Sequence, residues 1–94
     1  MTIEQFEESL KENTPPLIGP LLKALWYDEK GDWEMAHALA QSDPTKNGAW
    51  VHAYLHRKEG DEWNAFYWYN RAGREKPNLT LKEEWRQMAI ELMG

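Results

Sequence analysis

Apolar residues recur along this chain at three- and four-residue spacings, and no segment sustains an alternation of apolar and polar positions. That pattern predicts helices throughout and no sheet. Ile3, Phe6 and Leu10 form the first stripe. Thr2 and Gln5 open it as a capping box, and Glu4, Glu7 and Glu8 sit near the positive helix end. The predicted helix covers about 3–12. Asn13-Thr14-Pro15-Pro16 ends it, because proline lacks an amide proton and pushes the preceding residue out of helical backbone. Gly19-Pro20 starts a second helix that runs to Lys30, with proline in the first position, where its missing donor costs nothing. Gly31-Asp32 then acts twice: glycine ends that helix in left-handed backbone, and aspartate caps a third, Trp33 to Gln41. The two make a helical hairpin over 20–41.

Ser42 to Gly48 (Ser-Asp-Pro-Thr-Lys-Asn-Gly) is dense in turn formers and reads as a loop. A second hairpin follows over 49–72, with helices from about Ala49 to Glu59 and Glu62 to Ala72 on either side of Gly60-Asp61. Gly73 and a linker holding Pro77 close it. Thr80 and Glu83 form another capping box, and Leu81, Trp85, Met88, Ala89 and Leu92 line one face of a last helix over about 80–93. The expectation is one all-α domain over 1–94: about six helices, two hairpins and a capping helix at each end.

The hairpins align without a gap. Leu21-Leu22-Lys23-Ala24-Leu25-Trp26-Tyr27 falls on Trp50-Val51-His52-Ala53-Tyr54-Leu55-His56, Gly31-Asp32 on Gly60-Asp61 and Ala36 on Ala65, a period of 29 residues. Alanines at facing positions, Ala24 with Ala36 and Ala53 with Ala65, let two antiparallel helices approach closely. Ala53, Gly60-Asp61, Ala65, Tyr69, Ala72 and Pro77 of the second copy, with Ala24, Tyr27, Gly31-Asp32 and Ala36 of the first, resemble the tetratricopeptide repeat over about 20–77. The strings around Trp50 to Asp61 and Tyr67 to Gly73 also resemble a group of short proteins with no assigned activity. The tetratricopeptide resemblance implies that the first helix of each hairpin lines a concave surface. Carried over position by position, that surface holds Leu21, Leu25 and Asp28 with Trp50, Tyr54 and Arg57 as a groove for a protein or peptide partner. Such an apolar face needs a cover: the first helix through Ile3, Phe6 and Leu10, a second copy of the chain as a homodimer, or a partner.

Composition narrows the function. Ninety-four residues are too few for two cores, yet six Trp, four Tyr and two Phe can each bury about 150–250 Å² of surface, which supports one core without staples. With no cysteine, disulfides and thiolate metal sites are excluded. A net charge of -5 argues against a nucleic-acid backbone or an anionic membrane as partner. No stretch reads as a signal peptide or a membrane span, so a cytoplasmic protein is expected.

Candidate chemistry is sparse. His52 and His56 lie four apart on one helix face, a spacing that binds metal when a third ligand converges, but no spacing in the sequence brings His37 or a carboxylate to them. Histidines half-buried and bonded to a glutamate, Asn70 or a tyrosine hydroxyl are the plainer reading; a metal or small-molecule pocket is the alternative. No nucleophile, phosphate-cradling loop or cofactor motif is evident, so no enzyme and no cofactor are expected. Phe66-Tyr67-Trp68-Tyr69 point all round their helix, which is expected to be sandwiched between neighbours or else to expose one or two rings. Arg57, Lys58, Arg71, Arg74 and Lys76, interspersed with acids, read as a solvated mixed face. The expected role is a non-catalytic protein interaction module.

Overall fold

The computed structural model describes all 94 residues, as six helices with no strand: α1 (Ile3–Ser9), α2 (Pro20–Glu29), α3 (Trp33–Gln41), α4 (Lys46–Lys58), α5 (Glu62–Ala72) and α6 (Leu81–Met93). No helix is long and apolar enough to cross a membrane. Five of the six begin on a side-chain cap: Thr2, Asp32, Thr45, Asp61 and Thr80 accept from the amides of Gln5, Met35, Gly48, Asn64 and Glu83. Helix α2 begins instead on Gly19-Pro20, as proline at the first position allows.

The two hairpin turns are built alike. Gly31 and Gly60 have φ of +91° and +86°, backbone that L side chains rarely adopt. The amides of Asp32 and Asp61, 2.9 Å from the carbonyl oxygens of Tyr27 and His56, close the two chain reversals with the same bond. Ala24, Ala36, Ala53 and Ala65 are all buried, as close helix crossings require.

Two boundaries differ from the sequence reading by more than one residue. Helix α1 ends at Ser9 rather than near residue 12, and its last residues tighten into i to i+3 bonds, Leu10 to Glu7, Lys11 to Glu8 and Glu12 to Ser9. Helix α4 begins at Lys46, three residues before the expected Ala49, because Thr45 and not Gly48 is its cap. Gly48 lies in the first turn for a steric reason: a Cβ there would stand 2.3 Å from the backbone oxygen of Asp43.

Helix α3 packs on α4 and joins the hairpins, while α6 lies across α2 and α4 and also touches α1. Trp85 of α6 donates its indole N–H to the Leu25 carbonyl at 3.0 Å and stacks on Phe6 of α1, centroids 5.5 Å apart. Beside it Glu84, 0% exposed, accepts from Trp50 Nε1 (3.2 Å), Arg57 Nη1 (2.7 Å) and the Tyr69 hydroxyl (2.7 Å). Removing a carboxylate from water costs several kcal/mol, and three donors from α4 and α5 offset that. Asp28, also buried, pairs with Lys58 at 3.1 Å.

Replacing Glu84 by Ala leaves Arg57, Trp50 and Tyr69 without their acceptor and is expected to cost about 3–5 kcal/mol in urea unfolding. Glu84→Gln keeps an acceptor and should cost less. Gly48→Ala is expected to destabilise by about 1–3 kcal/mol. An exposed helix interior would instead gain about 1 kcal/mol from the same change. Unfolding midpoints of these variants, measured beside the parent, check both expectations.

Candidate functional site

The groove expected between α2 and α4 is not open. Leu25, Asp28, Trp50 and Tyr54 are buried, Leu21 and Arg57 are half-buried, and α6 rather than α1 alone is the cover. Leu25 offers its carbonyl to Trp85, Trp50 and Arg57 hold Glu84, and Arg57 also donates to the Leu79 carbonyl. The guanidinium of Arg74 lies 3.4 Å over the Trp50 ring and seals its other side. Burial pushes the Tyr54 phenol far above its ordinary pKa, reinforced by the charge of Asp28. Asp28 is itself raised by burial, partly opposed by Lys58. These six residues are core and ion-pair positions, not a free surface.

The histidines converge instead. Trp33 at the start of α3 donates to the Leu55 carbonyl of α4 at 3.0 Å and fixes how the two helices lie together. One turn further on, His37 meets the α4 pair. Ring centroids are 4.5 Å apart for His37 and His52, 5.3 Å for His37 and His56, and 4.9 Å for His52 and His56. One nitrogen from each ring lies within 4.8 Å of the other two. Trp33 stacks on His37 and Trp68 on His52, at 4.7 and 4.0 Å, so both imidazoles are backed by an indole. His56 donates from Nδ1 to Glu59 Oε2 at 2.7 Å, and its side chain is 12% exposed. The expectation of histidines bonded to a glutamate therefore holds for His56; His52 makes aromatic contacts, and neither Asn70 nor a tyrosine hydroxyl bonds to it.

The third histidine is not legible in the sequence, because which residues of α3 and α4 face each other depends on how the two helices pack across the turn. Counted from the short turn 42–45, His37 lies four residues inside α3 and His52 six inside α4. Antiparallel neighbours joined by so short a loop hold such positions at similar height. Burial, then the neighbouring His37 and His56, brings His52 down to about 4. Burial and His56 lower His37, against a smaller opposing pull from Glu59.

Helix α5 is not sandwiched. Its inner face buries Ala65, Tyr69 and Ala72, while Trp63 (76%), Phe66 (69%) and Tyr67 (43%) stand in solvent. Phe66 borders a cleft of about 450 Å³ that Ala65, Tyr69, Asn70, Arg74 and Glu75 also line. Of the basic residues read as a solvated mixed face, Arg74 pairs with Glu91 and Lys76 with Glu62 at the surface, whereas Arg57 and Lys58 reach the buried carboxylates of Glu84 and Asp28, and Arg71 lies over the Tyr67 and Trp68 rings. Comparison with protein-family models, curated proteins and solved structures found no match.

The shifted histidines set a pH dependence. Between pH 6.5 and 5 the unfolded chain protonates His52 and the folded chain does not, so stability falls with pH. The contribution is complete above the ordinary value of 6.5 and is lost on the way down to about 4. At pH 5 the loss from His52 is on the order of 2 kcal/mol. Asp28, held above its ordinary value, has the opposite sign and titrates in the folded chain regardless of residue 52. Urea midpoints measured from pH 7 to 5 in chelating buffer should decline for the parent, and His52→Gln should flatten the slope.

Proposed function

We propose that the chain is a non-catalytic helical binding module whose contact surface is the outer face of α5. The observation that carries this reading is the set Trp63, Phe66 and Tyr67, three large aromatics side by side in water next to a concave cleft. Residues at 63, 66 and 67 share one helix face, the spacing by which helices present anchors to partners. Exposed contiguous apolar surface of this kind marks an interaction site more often than an accident of packing. The occupant is a protein segment that places one large apolar side chain in the cleft beside Phe66. Glu75 and Arg74 at its rim supply both signs of charge to orient the segment. A tetratricopeptide-like repeat is supported by the matching Gly-Asp turns, although the binding face assigned here is not the one that resemblance implies. A cytoplasmic location belongs to this reading, since a chain without cysteine does not call for an oxidising compartment.

Selection of peptides from a displayed library on the intact chain should enrich sequences with an aromatic or leucine anchor. Phe66→Glu and Trp63→Glu, both surface changes, should weaken the selected peptides at least tenfold with helicity and unfolding midpoint unchanged. Lys82→Ala should bind them as the parent does. Retention of the peptides by both glutamate variants would sink the assignment. A concentration-dependent dimer in sedimentation that Phe66→Glu abolishes would replace the peptide by a second copy of the chain.

A further inference from the structure

We propose that His37, His52 and His56 form a binding site for a divalent first-row metal ion, zinc first among them, with Glu59 as the positioning carboxylate. The site is separate from the α5 surface, since its ligands sit on α3 and α4. The argument begins with convergence. Filling a helix interface with histidine rings requires only that they stack, whereas a metal requires their nitrogens to point to a common place. Here one nitrogen of each lies within 4.8 Å of both others. Tetrahedral zinc with Zn–N bonds of 2.0–2.1 Å needs ligand nitrogens about 3.3 Å apart. Turning the three side chains would have to close the difference between that spacing and the observed one.

The rings pack face to face and edge to face, and an ion would turn them toward itself. The His52 and His56 rings lie 26° from parallel, as an i, i+4 pair reaching to one side of a helix does. His37 stands nearly perpendicular to both, at 84° and 77°, so it meets the pair edge to face from the neighbouring helix. Metal-bound histidines characteristically donate their second ring N–H to a carboxylate, which fixes the tautomer and strengthens the ligand. Glu59 takes the Nδ1–H of His56 at 2.7 Å and leaves Nε2 as the nitrogen that residue can offer. Trp33 and Trp68 stack against His37 and His52 and back the site with two indoles. Three imidazoles favour zinc, copper or nickel over magnesium or calcium, which prefer oxygen. Three protein ligands leave a fourth position for water or an exogenous group.

The test is calorimetric titration of the intact, chelator-treated chain with zinc, repeated with magnesium. One equivalent of zinc should bind, raising the thermal midpoint, and magnesium should do neither. Cobalt in place of zinc should give the visible absorption of a tetrahedral nitrogen site. Because His52 is buried and its replacement can disturb folding, the decision rests on half-exposed His37 and exposed Glu59. His37→Asn should weaken zinc at least tenfold, and Glu59→Gln about tenfold, with the far-UV spectrum of the parent retained. In the unaltered chain, zinc should move the ring ¹⁵N resonances of all three histidines together. An isotherm of weak binding to several sites, as scattered surface carboxylates give, would overturn the proposal. So would one-to-one binding that His37→Asn leaves intact.

Discussion

The buried carboxylate of Glu84 decides where the last helix goes, and with it which faces of the molecule are available. Burying a lone carboxylate is costly, so α6 can settle only where donors already wait for it. Trp50, Arg57 and Tyr69 present those donors from α4 and α5, on residues 15 to 34 positions away in the chain. Hydrogen bonds to a charged group contribute about 1.5–3 kcal/mol each, which roughly cancels the desolvation. The net stability of the contact therefore comes from the apolar residues placed alongside, Trp85, Met88 and Ala89, all buried. The carboxylate supplies the address and the hydrocarbon supplies the energy. Trp85, the next residue, carries the constraint to α2 and α1 through the Leu25 carbonyl and the Phe6 ring.

Local chemistry was readable in the sequence because it acts over three or four residues. The caps at Thr2, Asp32, Asp61 and Thr80 and the left-handed glycines at 31 and 60 each need only near neighbours, and each stands where the pattern puts it. Gly48 shows the limit. Its composition says loop, yet its backbone is helical and its missing side chain serves a close approach to Asp43, which no spacing announces. The stripe on α6 was equally plain, but its destination was not, since a stripe records that a face is buried and not by what. His37 belongs to the same class: its partners depend on the height and rotation at which α3 meets α4, which no spacing records.

Equivalent positions in the two hairpins were put to opposite electrostatic use. Asp28 and Arg57, 29 residues apart, occupy the same place in their helices, and both are withdrawn from solvent. Asp28 takes Lys58 from the next helix of its kind, and Arg57 takes Glu84 from α6. Opposite signs at matched sites let each find a different partner, so the inner face of the hairpins closes on the chain's own groups. An inner face consumed in this way leaves the outer face of α5 and the α3–α4 seam as the places where chemistry remains unspent.

The tryptophans make the same division visible. Four of the six use the indole N–H to tie one element to another: Trp26 to Ser9, Trp33 to Leu55, Trp50 to Glu84 and Trp85 to Leu25. Trp68 gives its ring to His52. Trp63 does none of this: it stacks only on Tyr67, one turn along the same helix, and stands largely in water. A side chain of that size on a helix surface adds nothing to the packing of a small core and carries a hydration cost of about 25 cal/mol for each Å² of apolar surface left exposed. Within the fold nothing beyond that stacking covers the ring.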